Sequence, residues 1–229
     1  MFSNSEQYIK VAEALSEKRS GLSREELVKK TGLPSNGVLT KMLSNLEKCG
    51  FIRANKAYGN KKRGMRYQLS DYYSLFYFKF IRDNYGKDEH FWSNMNDNPA
   101  RRAWSGLTYE QVCKDHINQI KQTLGISGVL TEVSTWNKQG DDNEKGAQID
   151  LIIERRDRVI NLCEIKFSVR EYEIDKAYDL ALKNKVEVFR KATKNTDTII
   201  ITMITTYGVK KNMYSNYIGK EVRMEDLFN

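Results

Sequence analysis

Ile149-Asp150-Leu151-Ile152-Ile153 and Val159-Ile160-Asn161-Leu162-Cys163-Glu164-Ile165-Lys166-Phe167, joined by the charged turn Glu154-Arg155-Arg156-Asp157-Arg158, decide the fold of the C-terminal part of the chain. Short β-branched runs on either side of a polar turn read as two strands of a hairpin. A hairpin folded about Arg156 and Asp157 puts Asp150 opposite Cys163 or Glu164. Directly opposed residues of an antiparallel pair hold their Cβ atoms ~5 Å apart, near enough for two carboxylates to hold one small divalent cation. Glu164 and Lys166 share a face by the two-residue period. Ile152, Ile160 and Leu162 make the runs apolar beside the charged set, which predicts strands of a buried central sheet. Charges placed there are costly unless they are paired or bind a metal.

Working outward, a helix is predicted from 103 to about 123, with Leu107, Val112, Ile117 and Ile120 among its apolar residues and with Gly106 expected to let a neighbour approach closely. A turn at 125–128, a strand at 129–133 leading to Trp136 and a polar loop at 137–146 follow. Beyond Lys166, a helix is predicted over 174–192 with Ala177, Ala181, Val186 and Phe189 inward, and then a buried strand over 198–203. Helix, three strands, helix, strand is an αβββαβ order, so 103–229 reads as an α/β domain.

The N-terminal third has a different grammar. Tyr8, Ile9, Ala12 and Leu15 fall at helical spacing, and Gly21-Leu22-Ser23 interrupts them. Ser23 and Glu26 form an S-x-x-E capping box that starts a second helix running to about Lys30. After Thr31-Gly32-Leu33-Pro34, Ser35 or Asn36 can cap a third helix with the stripe Val38, Leu39, Met42, Leu43 and Leu46, stopped by Gly50. Phe51-Ile52-Arg53-Ala54 and Met65-Arg66-Tyr67-Gln68-Leu69 then flank a polar stretch as a long-looped hairpin. Residues 71–102 begin with a strongly aromatic helix, Tyr72 to Ile81, expected to pack as core at the junction, and continue as a polar linker.

Composition sets the bounds. Two ordinary cores fit in 229 residues with 40% hydrophobic content. The longest apolar runs fall short of the ~20 residues that span a bilayer, and no signal pattern opens the chain. A soluble, cytoplasmic protein with no membrane association is expected. Cys49, Cys113 and Cys163 lie far apart among apolar neighbours and are expected to be buried reduced thiols. With two histidines and no clustered thiols, a metal would be a hard ion such as Mg²⁺ or Mn²⁺ held by oxygen. A net charge of +8 favours an anionic partner.

Three helices and a hairpin over 1–70 resemble the winged helix-turn-helix superfamily. That resemblance implies DNA contact by Lys41 and Lys48 on the third helix and by Lys56, Lys61, Lys62, Arg63 and Arg66 on the wing, where each can neutralise a phosphate. Asp150, thirteen residues, then Glu164-Ile165-Lys166 resembles the D-x(n)-E-x-K signature of the PD-(D/E)XK, or restriction endonuclease-like, superfamily, with isoleucine where the signature has proline. By that resemblance Asp150, Glu164 and the Ile165 carbonyl ligate Mg²⁺, and Glu110 takes the place of the family's first-helix acid as a further ligand. Lys166 orients or activates the attacking water. Some members also offer a glutamine or lysine on the second helix, and between Lys183 and Lys185 the sequence leaves the choice open.

Trp104-Ser105-Gly106-Leu107-Thr108-Tyr109-Glu110 and Gly146-Ala147-Gln148-Ile149-Asp150-Leu151, with the winged helix and aromatic junction, look like the C-terminal half of AAA-type ATPases carrying a DUF234 region. No G-x-x-x-x-G-K-S/T is present, so no nucleotide is expected in this chain, and an AAA-type ATPase domain or subunit is the implied partner. The resulting expectation is a metal-dependent DNA nuclease hydrolysing phosphodiesters as an endo- or exodeoxyribonuclease, built as an α+β chain of winged helix and nuclease-like domain. The alternative is a non-catalytic DNA-binding or ATPase-regulatory module whose nuclease-like domain docks partners.

Overall fold

The computed structural model describes residues 5–59, 64–84, 86, 88–96, 98–140 and 146–229. They form a mixed α and β structure of two compact units, Met1–Arg101 and Arg102–Asn229.

In the first unit, α1 (Ser5–Ser16) buries Val11, Ala12, Ala14 and Leu15, while Ile9 faces outward. The capping box forms as expected at α2 (Arg24–Thr31). Glu26 N donates to Ser23 Oγ at 3.2 Å and Ser23 N donates to Glu26 Oε2 at 2.7 Å. Asn36, not Ser35, caps α3 (Gly37–Lys48), accepting from Val38 N and Leu39 N. Leu39, Met42, Leu43 and Leu46 are buried along it, but Val38 at its first turn is exposed.

The hairpin β1 (Ile52–Asn55) and β2 (Arg66–Leu69) follows, with Ile52 opposite Leu69. Leu22 bridges to Tyr67 through N–H to carbonyl bonds of 2.9 and 2.8 Å, so the segment before α2 extends the hairpin. Gly21 is required there, because at φ +73° a Cβ would lie 2.5 Å from the Tyr67 carbonyl oxygen.

The aromatic segment forms α4 (Tyr72–Phe76), capped by Asp71, and a π-helical turn at Tyr77–Ile81. The expected linker does more than connect. Trp92 packs edge-on to Phe76 at 4.9 Å and to Phe80 at 5.3 Å, and the Arg101 guanidinium lies 4.9 Å from the Trp92 ring. Burying aromatic area offsets the entropy of ordering this segment, which its polar composition concealed.

In the second unit the predicted single helix is two, α5 (Pro99–Asp115) and α6 (Ile117–Thr123), broken at His116. Gly106 meets nothing within 4 Å, so its expected close approach does not occur. The sheet runs β3 (Thr131–Lys138), β4 (Ala147–Arg155), β5 (Val159–Lys166), β6 (Thr198–Thr205), β7 (Lys220–Arg223) in that spatial order. The first three strands are antiparallel, and β5, β6 and β7 are parallel. Strand β3 extends past Trp136 through an irregularity between Ser134 and Trp136, and β7 is an element without a sequence prediction.

Helix α7 (Lys176–Thr193), capped by Asp175, connects β5 to β6. On one face of the sheet Leu151, Ile153, Cys163, Ile165, Ile204 and Val222 form a core with Tyr109, Cys113, Ile120 and Leu124. The other face meets α7, whose Phe189 ring lies 5.3 Å from Trp136. Cys113 and Cys163 are buried as expected, but Cys49 is exposed because it caps the end of α3. No described helix is long and apolar enough to cross a membrane.

The Glu26 carboxyl is held down to about 2, first by the Lys18 ammonium at 2.6 Å and then by the Ser23 N–H. Its folded value lies below its ordinary value of 4.5, so its stabilisation is present above 4.5 and is lost as pH falls toward about 2. Glu26→Gln is expected to cost on the order of 1 kcal/mol at neutral pH in urea unfolding. The difference from the unsubstituted chain should shrink across that acid interval.

Candidate functional site

The β4–β5 register pairs Leu151 with Cys163. Continued by one residue, it sets Asp150 opposite Glu164. Alternation sends Leu151 and Cys163 into the core shared with α5 and α6, and therefore sends Asp150, Glu164 and Lys166 to the face met by α7. The three differ in burial. Glu164 is 1% exposed, whereas Asp150 and Lys166 are half-buried at the rim, so only one of the charges is fully withdrawn from water.

Helix α7 supplies the compensation for that buried charge. Lys185 Nζ donates to Glu164 Oε1 at 2.6 Å, and Tyr178 Oη donates to Glu164 Oε2 at 3.1 Å. Lys166 Nζ lies 4.0 Å from Glu164 Oε2 and 5.2 Å from the centre of the Tyr178 ring. Tyr178 and Lys185 are seven residues apart, two helical turns, and so reach the sheet from one side of α7. Burial pushes the Glu164 carboxyl up; Lys185 opposes the shift and the nearby Asp150 carboxylate adds to it. Tyr178 is also pushed up, by burial and then by Glu164, and stays a neutral hydrogen-bond donor. Gln148 Nε2 donates to Asp150 Oδ1 at 3.2 Å.

Of the two lysines left open by the sequence, Lys185 reaches the carboxylate. Lys183 turns to Asp179 at 2.6 Å and to the Tyr217 ring. Tyr178 is thus a functional candidate that only folding identifies, and folding selects Lys185 from the pair the sequence offered; a signal was present in their seven-residue spacing, but nothing in the sequence aimed that side of α7 at Glu164.

Glu110 is buried on α5, one residue from Tyr109, which packs on the face opposite Glu164. The Tyr109 ring contacts Phe167 at 6.1 Å, placing this turn of α5 near the carboxyl end of β5. Among the described residues no three His, Cys, Asp or Glu side chains form a group able to hold a metal ion, so Glu110 is not brought into one cluster with Asp150 and Glu164. The remaining oxygen donors, the Asp150 and Glu164 carboxylates and the Ile165 carbonyl, are of the type a hard cation takes. The repulsion between the two carboxylates is one that a divalent cation would relieve. The donor chemistry therefore fits Mg²⁺ or Mn²⁺, although a cation there has to compete with the Lys185 ammonium for Glu164.

In the first unit Lys41, Lys48 and Lys56 are exposed, on α3 and just beyond β1. Lys61, Lys62 and Arg63 lie outside the described residues. Arg66 is committed elsewhere: its guanidinium donates to the carbonyls of Ser20 and Gly21 and to Glu26 Oε2, clamping β2 to the turn between α1 and α2.

A scan against protein-family models finds no match, and a search of curated proteins finds none either. Among solved structures the chain is similar to the crystal structure of a protein of unknown function, AF1548, at 18% sequence identity and a TM-score of 0.35. The alignment covers 52% of this chain and 64% of that one, less than two thirds of its length. A likeness of this degree carries no argument about function.

Removing one partner of a buried ion pair strands the other, at a cost of about 3–5 kcal/mol. Lys185→Met is expected to lose that much in urea unfolding, and Lys185→Met combined with Glu164→Gln to recover most of it. Equal losses in the single and double variants would show that Lys185 acts by packing alone.

Proposed function

We propose that the second unit hydrolyses phosphodiester bonds of DNA with the help of Mg²⁺ or Mn²⁺, and that the first unit holds the DNA as a winged helix. One observation carries the reading: the β4–β5 register, continued one residue beyond its last pair Leu151–Cys163, sets Asp150 opposite Glu164, with half-buried Lys166 two residues further along β5. Two carboxylates and a lysine so placed match the D-x(n)-E-x-K arrangement of PD-(D/E)XK nucleases.

Asp150, Glu164 and the Ile165 carbonyl would hold the metal, which stabilises charge on the phosphoryl oxygens and lowers the pKa of bound water. Lys166, half-exposed and close to Glu164, is the group positioned to orient a water or a phosphate oxygen. Lys185 and Tyr178 hold the Glu164 carboxylate in one orientation. Lys41, Lys48 and Lys56 are proposed to neutralise phosphates. An AAA-type ATPase domain or subunit is the partner that the sequence resemblance adds.

A specific observation favours a second reading. The buried carboxylate already has an ammonium at 2.6 Å and a phenol at 3.1 Å, the pattern of a satisfied internal network. On that reading the domain docks partners, and the chain binds DNA without cutting it.

Incubating the chain with plasmid and single-stranded DNA in Mg²⁺ or Mn²⁺ separates the two. Hydrolysis is expected to stop in EDTA and to fall on the order of 100-fold or more in Asp150→Ala and Lys166→Ala variants that stay folded. DNA binding indifferent to Mg²⁺, with no cutting, selects the docking module. In either case Lys41→Ala is expected to reduce the salt dependence of duplex binding by about one counterion, measured as the slope of log affinity on log salt concentration.

A further inference from the structure

The parallel strands β5 and β6 end side by side, with Lys166 paired to Thr205. The chain leaving each strand carries apolar side chains in the open: Phe167 (40% exposed) and Val169 (83%) after β5, and Tyr207 (57%) after β6. These residues sit on tied backbone. Thr206 Oγ1 donates to the Ser168 carbonyl at 2.7 Å and accepts from Ser168 N at 2.8 Å. Further along, Tyr172 N donates to the Gly208 carbonyl and Lys210 N to the Tyr172 carbonyl. The Phe167 ring meets buried Tyr109 in an edge contact at 6.1 Å and is still 40% exposed.

An exposed, preorganised apolar surface next to a polar site is a binding feature. Its surroundings point to the occupant. The same two segments, 166–173 and 206–211, carry Lys166, Arg170, Lys210 and Lys211 against Glu171 and Glu173, a surplus of positive charge. Beside them a cavity of about 480 Å³ is lined by Val209, Lys211, Ser215, Asn216, Lys220 and Glu221 among others, two lysines against one glutamate. Gly208, the residue after Tyr207, borders that lining: a Cβ on it would come within 2.8 Å of Glu221 Oε1. Flat apolar faces next to cations suit a polyanion that also offers flat apolar faces. Bases in a continuous duplex have their faces covered by their neighbours, so only unpaired nucleotides can supply them.

We propose that Phe167, Val169 and Tyr207 form a stacking platform for unpaired nucleotides beside the Asp150–Glu164–Lys166 set, making single-stranded or frayed DNA the preferred substrate. This rests on the reading of the second unit as a nuclease for what happens to the strand, but not for its binding.

The test is fluorescence anisotropy of the full chain in EDTA, with a labelled oligothymidylate of about 15 nucleotides and a blunt-ended hairpin duplex carrying the same label. Tyr207→Ala is expected to weaken single-strand binding about 5- to 100-fold while leaving duplex binding unchanged, and Tyr207→Trp to retain single-strand affinity. Val169→Ser changes an exposed residue and is expected to act in the same direction with less effect. Unchanged single-strand affinity in Tyr207→Ala, or a parent chain that does not bind the single strand, overturns the platform and assigns the surface to a protein partner. Cleavage of the same oligonucleotides in Mg²⁺ is scored separately. Selective loss of binding without any cleavage by the parent chain supports the platform and removes the nuclease; cleavage with unchanged binding in the variants keeps the nuclease and removes the platform.

Discussion

A carboxylate with 1% exposure in the middle strand of a sheet is the constraint around which the second unit is arranged. Burying an ion costs several kcal/mol even after relaxation, and Coulomb attraction offsets this only when the partner is close and well oriented. Glu164 receives an ammonium on one oxygen and a phenol on the other, both from α7. The helix that crosses from β5 to β6 therefore does two jobs: it covers one face of the sheet with apolar residues such as Leu182 and Phe189, and it pairs the Glu164 charge buried in that face. A sheet of the same topology without Glu164 would place no such demand on α7.

The same strand marks the change from antiparallel to parallel pairing. Strand ends are places where side chains of neighbouring strands converge without further backbone pairing, and parallel strands bring their carboxyl ends to one side. Lys166, the loop after it and the loop after β6 consequently share one edge, with Asp150 across from Glu164. A charged pair, an apolar rim and a cationic surround result from the direction of three strands, and a hydrolytic or a docking role would each use this edge.

The first unit is built on local chemistry to a greater extent. The Ser23–Glu26 capping box, the Asn36 cap and the left-handed Gly32 each start or stop a helix through interactions spanning a few residues. Long-range order comes from Leu22 pairing with Tyr67 and from Arg66, which ties β2 to the turn before α2 and shares Glu26 with Lys18. A basic residue on a hairpin reads as a phosphate ligand when only its charge and place in the chain are seen; here its three bonds hold the hairpin instead.

By itself the sequence determined what short-range physics controls. The caps, the two units' contrasting patterns, the hairpin about Arg156 and Asp157 and the limits of β5 and α7 were all legible, because hydrophobic period, turn residues and capping pairs act within a few positions. The same period set Asp150 against Glu164 to within one residue. What the tertiary structure decided depends on which faces meet. It chose Lys185 over Lys183, recruited Tyr178, kept Glu110 out of one cluster with the other carboxylates, exposed Cys49, and packed the half-buried Trp92 of the supposed linker against Phe76 and Phe80. It also added β7, whose four residues Lys220–Arg223 have too little apolar content to signal a strand until β6 offers a free edge. In each case the deciding energy is desolvation or packing between residues distant in the chain, and that energy exists only once the elements are placed against one another.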